Sequence, residues 1–111
     1  MSREILESDW KVFRQLYPLA LERFCERVLS EIVHLASDTT KGSHEGYLAV
    51  FELIRRRDRE MANSFNDLRR STAVHQLACI QSLELLTEEE LARLSRQTRD
   101  VVQSLIEINR A

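Results

Sequence analysis

Glycine and proline are almost absent from this sequence, and neither occurs between Tyr47 and Ala111. The chain holds two glycines, Gly42 and Gly46, and one proline, Pro18. Turns between β-strands draw heavily on these two residue types, whereas the interior of a helix excludes them. A chain of 111 residues is long enough for one hydrophobic core and leaves little room for a second. We therefore expect a single all-α domain over residues 1–111.

The first predicted helix spans about residues 8–37. Ser8 is a suitable N-cap, and Asp9 suits the positive end of the helix dipole. Pro18 lies inside the helix, where it removes one backbone hydrogen bond and crowds the carbonyl of Arg14. The apolar residues keep one helical phase across Pro18, so we predict a kinked helix. These residues are Trp10, Phe13, Tyr17, Leu21, Phe24, Val28, Ile32 and Leu35.

The second predicted helix runs from about residue 44 to 85, after a loop over residues 38–43. Mostly apolar residues recur in it at alternating steps of four and three and form a seam along one side of the helix. The seam residues are Tyr47, Phe51, Ile54, Asp58, Met61, Phe65, Leu68 and Thr72. Because no glycine or proline interrupts this stretch, a continuous helix about 60 Å long is favoured. The alternative is a break near Asn63, since Ser64 is able to cap a new helix.

The third predicted helix covers about residues 88–108. Thr87 and Glu90 have the spacing of a capping box, and Ser95 is placed to end the first turns and cap a second piece from Arg96. Short connections make consecutive helices antiparallel, so the expected architecture is an antiparallel bundle of three main helices. A middle helix longer than its neighbours leaves part of its seam uncovered, which predicts a homodimer.

No catalytic, nucleotide-binding or metal-binding motif is recognisable. Gly42 and Gly46 do not form a phosphate-binding loop or a nucleophile elbow. His75 and Cys79 share a helix face at a spacing of four, but two ligands do not make a zinc site. The pattern Glu31-x-x-His34 occurs once, whereas a di-iron bundle needs two copies. We expect no metal, no cofactor and no enzymatic activity.

Two sets of polar residues interrupt the regular pattern between Arg55 and His75. Asp58 occupies a seam position, where it is expected to pair with an arginine of another helix or to lie where the seam is open to water. Asp58 and His75 are therefore the candidate buried polar residues. A second set shares one side of the predicted helix and forms the candidate binding surface: Arg56, Arg59, Asn63, Asn66 and Arg70.

Three functions remain open at this point. The favoured one is a non-enzymatic helical module that forms a homodimer and binds proteins through its helix faces. The second is a nucleic-acid-binding or regulatory protein that uses the Arg55–Arg70 face, although a net charge of −2 disfavours a polyanion ligand. The third is a small helical enzyme or ligand carrier that uses His75, Asp58 and nearby arginines. With two cysteines in apolar surroundings and no apolar run long enough to span a membrane or direct export, we expect a cytoplasmic protein.

Overall fold

The computed structural model describes residues 5–110, which form helices and connecting segments without a β-strand. The prediction of an all-α fold is therefore confirmed. The elements are α1 (Glu7–Ala36), α2 (Ser43–Phe65), a 3₁₀ turn (Arg70–Thr72), α3 (Ala73–Ser82), α4 (Glu88–Leu91) and α5 (Arg96–Arg110).

Helices α1 and α2 form an antiparallel hairpin. Tyr17, in the first half of α1, lies against Phe65 at the end of α2, with ring centroids 5.4 Å apart. Glu31, near the end of α1, lies against Arg57, with an N–O distance of 2.9 Å. Since the contacts move back along α2 as they move forward along α1, the two helices run in opposite directions.

The start of α1 differs by one residue from the prediction. The helix begins at Glu7 with Leu6 at the N-cap position, so Ser8 does not cap it. The helix continues through Pro18 without interruption. Pro18 and Arg14 are both exposed, so water can bond the carbonyl that the proline leaves without a donor. The kink itself stays a prediction.

The second helix is not continuous to residue 85. Helix α2 ends at Phe65, Asn66 has extended backbone, and Asp67 has a φ of 65° in the left-handed region. The chain turns here without glycine, because the buried Gln76 side chain donates from Nε2 to the backbone carbonyls of Asn66, at 2.5 Å, and Asp67, at 3.2 Å. The break left open near Asn63 thus lies a few residues later, and α3 is a separate short helix.

The C-terminal region follows the local sequence signals. The Glu90 backbone N–H donates to Thr87 Oγ1 at 3.1 Å, and the Glu90 carboxylate accepts from the Thr87 N–H at 2.8 Å. This confirms the capping box. Helix α4 is a single turn, and Ser95 Oγ accepts from the Thr98 N–H at 3.2 Å, as expected for the cap of a helix that begins at Arg96.

The hydrophobic core lies at one end of an elongated molecule whose extents are 53 × 26 × 23 Å. It combines the first two thirds of α1, the end of α2, most of α3 and the inner face of α5. The most deeply buried large apolar residues are Phe13, Leu16, Leu77 and Ile80. The remainder of the hairpin extends beyond this core as a two-helix layer.

Candidate interaction surface

The distal part of the hairpin buries little of its own apolar surface. Helix α1 has no buried residue after Phe24, and α2 has only Leu53 buried before Ser64. A two-helix layer cannot enclose a core, because each helix has only one neighbour to pack against. The apolar side chains of this part are therefore left in contact with solvent.

A shallow apolar groove of about 200 Å³ runs between the two helices in this region. Its apolar lining residues are Phe24, Cys25, Val28, Leu29, Ile54 and Met61, with Arg57 and Asp58 beside them. Leu29 is 60% exposed and Ile54 is 40% exposed, so the walls of the groove are largely open to water.

The apolar surface continues along α2 towards its N-terminus. Tyr47 is 68% exposed and Phe51 is 49% exposed. The spacing of Tyr47, Phe51, Ile54 and Asp58 places these residues on the same side of α2. We call the groove together with Tyr47 and Phe51 the hairpin face. Several exposed large apolar side chains on one side of one hairpin are characteristic of an interaction surface.

The exposed apolar residues of α2 were identified from the sequence, whereas those of α1 were missed. The predicted stripe on α1 contains Val28 and Ile32 but omits Leu29 and Val33, which are 60% and 63% exposed. The signal was present as two adjacent apolar pairs, Val28-Leu29 and Ile32-Val33. Such pairs widen an apolar stripe beyond what one core-facing side requires.

The prediction that Asp58 is a buried polar residue is wrong. Asp58 is exposed, and no basic side chain within residues 5–110 lies within 4 Å of its carboxylate. Of the two expectations for this seam position, the open seam is the one observed. The hairpin face thus carries one hydrated carboxylate among apolar neighbours.

The prediction that His75 is buried is also wrong, because its side chain points to solvent on α3. His75 Nε2 lies 3.7 Å from Cys79 Sγ. Burial raises the pKa of the Cys79 thiol, which favours the unreactive protonated form. Asp58 lies on α2, away from α3. It lines a groove whose other lining residues include no histidine and no second carboxylate. The structure therefore does not assemble an acid–base pair from these residues.

The five residues of the candidate binding surface do not share one helix. Arg56, Arg59 and Asn63 are exposed on α2, Asn66 follows the end of that helix, and Arg70 belongs to the 3₁₀ turn. Arg70 also pairs with Glu7 at 2.7 Å. The break after Phe65 divides the polar line that a continuous helix would have formed.

The arginine cluster of α2 is partly neutralised within the chain. Arg57 binds Glu31 through two hydrogen bonds, of 3.1 and 2.9 Å, and also contacts Glu60. These bonds raise the pKa of the Arg57 guanidinium further and lower the pKa of the Glu31 carboxyl. Arg55 lies 3.6 Å from Glu52 and stacks over the Phe51 ring. Arg56 and Arg59 are the members without a carboxylate within 4 Å in the part of the chain that the structure describes.

A second cleft, of about 410 Å³, lies between α3, α4 and α5. Gln81 lines it, and the buried Gln81 Oε1 has no hydrogen-bond partner among the described residues. Arg99, Asp100 and Gln103 also line the cleft, so its wall is polar. The charged groups of this wall are exposed and face solvent.

Within residues 5–110 no group of three or more His, Cys, Asp or Glu side chains is placed to hold a metal ion. None of the helices described is both long and apolar enough to cross a membrane. Comparisons with protein families, characterised proteins and solved structures gave no significant match to this chain.

Proposed function

We propose that this protein is a non-enzymatic helical interaction module that forms a homodimer through the hairpin face. The observation that carries the proposal is the row of solvent-exposed apolar side chains on the distal hairpin, with Leu29, Tyr47, Phe51 and Ile54 each at least 40% exposed. A second two-helix layer placed on this row would complete a four-helix arrangement with a buried centre.

A second copy of the same chain fits this surface because it presents the same row of apolar side chains, and a twofold interface packs one patch against its own copy. The charged residues of α2 are arranged separately from this row. The first ten residues of α2 contain Glu45 and Glu52 and no arginine or lysine. The following residues, up to Met61, contain four arginines against Asp58 and Glu60. Glu45 and Glu52 lie on the other side of α2 from Tyr47, Phe51 and Ile54, so the apolar row, and not the charge of α2, carries the association.

The expected dimer is weak and depends on concentration. Covering the four half-exposed side chains on both copies contributes roughly 8 kcal/mol of hydrophobic stabilisation, at about 1 kcal/mol for each. Association costs at least about 4 kcal/mol in lost translational and rotational freedom. The surplus of about 4 kcal/mol corresponds to a Kd on the order of a millimolar, and polar contacts at the rim tighten it to roughly a few hundred micromolar.

The nucleic-acid alternative is less favoured. Arg57 and Arg70 are held by carboxylates of the same chain, and the chain has a net charge of −2. Phosphate binding would have to displace those carboxylates. The free thiols of Cys25 and Cys79 are in keeping with a reducing compartment, so a cytoplasmic location is part of the proposal.

Light scattering coupled to size-exclusion chromatography tests the proposal across a dilution series from about 10 μM to about 2 mM, which brackets the expected Kd. The wild-type chain is expected to be dimeric at the upper end and monomeric at the lower end. The variant Phe51→Glu places a charge in the hairpin face and is expected to stay monomeric throughout.

The matched control is Ile108→Glu, because Ile108 is also exposed but lies on α5 outside the hairpin face. This variant is expected to dimerise like the wild type, and circular dichroism checks that all three proteins keep their helix content. A wild-type chain that is monomeric at every concentration would overturn the proposal. A dimer that both substitutions weaken equally would show that the hairpin face is not the interface. A chain that associates only with a different helical protein would overturn the homodimer.

A further inference from the structure

We propose that the C-terminal unit of this protein, which comprises α3, α4 and α5 over residues 73–110, is exchanged between two copies of the chain. In the exchanged dimer the C-terminal unit of each copy packs on α1 of the other copy. The segment between α2 and α3, residues 66–72, is the hinge that opens. The exchange does not use the hairpin face, so it goes beyond the proposed homodimer and does not depend on it.

The hinge is exposed and is held by hydrogen bonds from residues close to it in the sequence. Its first six residues are all exposed. The buried Gln76 amide donates to the carbonyls of Asn66 and Asp67. Thr72 Oγ1 donates to the carbonyls of Asp67, at 3.0 Å, and Arg69, at 3.2 Å. Opening the hinge therefore breaks these few bonds, and no residue of the hinge itself belongs to the hydrophobic core.

The hinge has a second conformation open to it, which is a continuous helix that joins α2 to α3. Asp67 has a φ of 65°, and this left-handed conformation is less favourable than the helical one for a residue with a Cβ. Neither glycine nor proline occurs after Gly46, so no residue of the hinge forbids a helix. Asn66 and Asp67 are poor helix formers, and together with the bonds from Gln76 and Thr72 they keep the hinge closed in the single chain.

A continuous helix would turn the apolar side of α3 away from α1 of the same chain. Successive residues of a helix are rotated by about 100°, so Ile80 would lie opposite Leu53, and Leu77 would lie about 120° from it. Leu53 is buried and lies beside Leu35 of α1, whereas Leu77 and Ile80 are 0% exposed in the core of the closed chain. With the hinge helical, the apolar side of α3 is covered only when a second copy supplies its α1.

The surface of α1 that holds the C-terminal unit is the same in both copies. Arg23 binds the Glu90 carboxylate through hydrogen bonds of 2.7 and 2.9 Å and the Leu85 carbonyl at 2.9 Å, and Arg27 binds the Leu83 carbonyl at 2.7 Å. In the exchanged dimer each of these contacts forms between the two copies with the same partner groups. The exchange therefore retains this interface and changes the hinge, which is why the partner is a second copy and not another protein.

Two charge variants at the pair between Arg23 and Glu90 test whether the unit is exchanged. Both are made in a Phe51→Glu background, which removes the association proposed for the hairpin face. One chain carries Arg23→Glu and the other carries Glu90→Arg, so each chain alone opposes two like charges, whether it is closed or exchanged with its own kind. In a dimer exchanged between the two chains, the introduced glutamate faces the introduced arginine, and the native arginine faces the native glutamate.

The two variants are unfolded together and refolded as an equimolar mixture, and light scattering measures the dimer fraction. The mixture is expected to contain roughly tenfold more dimer than either variant refolded alone, because attraction replaces repulsion at both contacts. The control chain carries Arg23→Glu and Glu90→Arg together, so it restores the pair within one chain and is expected to match the Phe51→Glu parent. Circular dichroism checks that each chain folds.

A second pair of variants, at Asp67 in the same background, tests the hinge without changing the Arg23–Glu90 pair. Asp67→Gly suits the left-handed conformation and is expected to lower the dimer fraction after refolding. Asp67→Ala disfavours that conformation and favours the helix, so it is expected to raise the dimer fraction to on the order of tenfold that of Asp67→Gly.

The refolding results distinguish the exchange from the proposed homodimer. A folded mixture that stays monomeric overturns the exchange, whether or not the wild type dimerises through the hairpin face. If a charge variant does not fold alone, the Asp67 pair decides, and equal dimer fractions for its two members overturn the exchange. A mixed dimer that separates as soon as it is diluted also overturns it, because exchanged chains part only after the C-terminal unit has left α1. A wild-type chain without the rapid, concentration-dependent dimer overturns the proposed function alone.

Discussion

The Asp9 carboxylate lies 2.6 Å from the Thr98 hydroxyl, although 89 positions separate the two residues in the sequence. The same carboxylate accepts hydrogen bonds from the Ser95 N–H at 2.7 Å and from the Ser95 hydroxyl at 2.6 Å. Asp9 is 2% exposed and Thr98 is 5% exposed. A side chain near the start of α1 thus satisfies donors at the start of α5, and the two ends of the chain are joined through it.

Asp9→Ala is expected to destabilise the fold by about 3 kcal/mol, because it leaves one buried and two partly buried donors without an acceptor. Chemical denaturation followed by Trp10 fluorescence measures the loss as a lower midpoint. Ser8→Ala is the control, since Ser8 is exposed and does not cap α1, and this variant is expected to unfold close to the wild type. Equal midpoints for the two variants would contradict the role of Asp9.

The ion pair between Arg23 and Glu90 predicts a loss of stability in acid. The paired Arg23 guanidinium and the Thr87 N–H hold the pKa of the Glu90 carboxyl at about 2, below its usual value of 4.5. A carboxyl whose pKa is lower in the folded state stabilises the fold above the unfolded pKa, and this contribution disappears as the pH falls through the folded pKa. The relevant window is therefore between about pH 4.5 and about pH 2.

Glu90→Gln removes this titration. The variant is expected to be less stable than the wild type at pH 7 by about 1 kcal/mol, a modest value because Arg23 is partly exposed and solvent screens the pair. The difference in melting temperature should shrink as the pH is lowered from 4.5 towards 2. Glu89→Gln serves as the control, since Glu89 is exposed and has no such partner in the described chain; the prediction is wrong if both variants show the same pH dependence.

Signals contained within a few consecutive residues could be predicted from the sequence. The Thr87–Glu90 capping box, the cap at Ser95 and the apolar seam of α2 all depend on residues within one or two helical turns of each other. Their geometry is set by the helix itself, so no knowledge of the tertiary structure is needed.

The break after Phe65 could not be predicted, because the residue that holds it lies ten positions further along the chain. Gln76 bonds the carbonyls of Asn66 and Asp67, and Asp67 adopts the left-handed conformation that glycine usually supplies. The absence of glycine therefore favoured a continuous helix that the structure does not contain. Because α3 is a separate helix, the side of it that faces the core is not the side that a continuation of α2 would bury. Gln76 is buried and the adjacent His75 is exposed, so the buried polar residue lies one position from the one expected.

The Gln76 amide gives a direct test of how the break is held. Gln76→Glu replaces the Nε2 donor by a carboxylate that faces two carbonyl oxygens in a buried site. This substitution is expected to cost about 3 kcal/mol at pH 7 and less in acid, where the new carboxyl is protonated and can donate again. Gln97→Glu on the exposed side of α5 is the control. A fully tolerated Gln76→Glu at pH 7 would show that the carbonyls of Asn66 and Asp67 do not depend on this amide.

The end of α3 offers a substitution that should increase stability. Glu84 has a φ of 55° and follows the helix C-cap, Leu83. The Leu85 N–H donates to the Ile80 carbonyl at 3.4 Å and the Glu84 N–H donates to the Gln81 carbonyl at 2.9 Å, which is the bonding of a Schellman motif. Glycine is the residue preferred at the position that Glu84 occupies, because it has no Cβ to crowd the left-handed backbone.

Glu84→Gly is therefore expected to stabilise the fold by about 0.5 to 1 kcal/mol. The bonds from Arg27 to this segment involve the backbone carbonyls of Leu83 and Glu84, so they survive the change of side chain. Glu84→Ala keeps the Cβ and is expected to bring no gain, which separates relief of backbone strain from loss of the glutamate charge. Thermal unfolding followed by circular dichroism measures both variants against the wild type. If the alanine variant is stabilised as much as the glycine variant, the gain comes from the lost charge and the left-handed backbone of Glu84 carries no measurable strain.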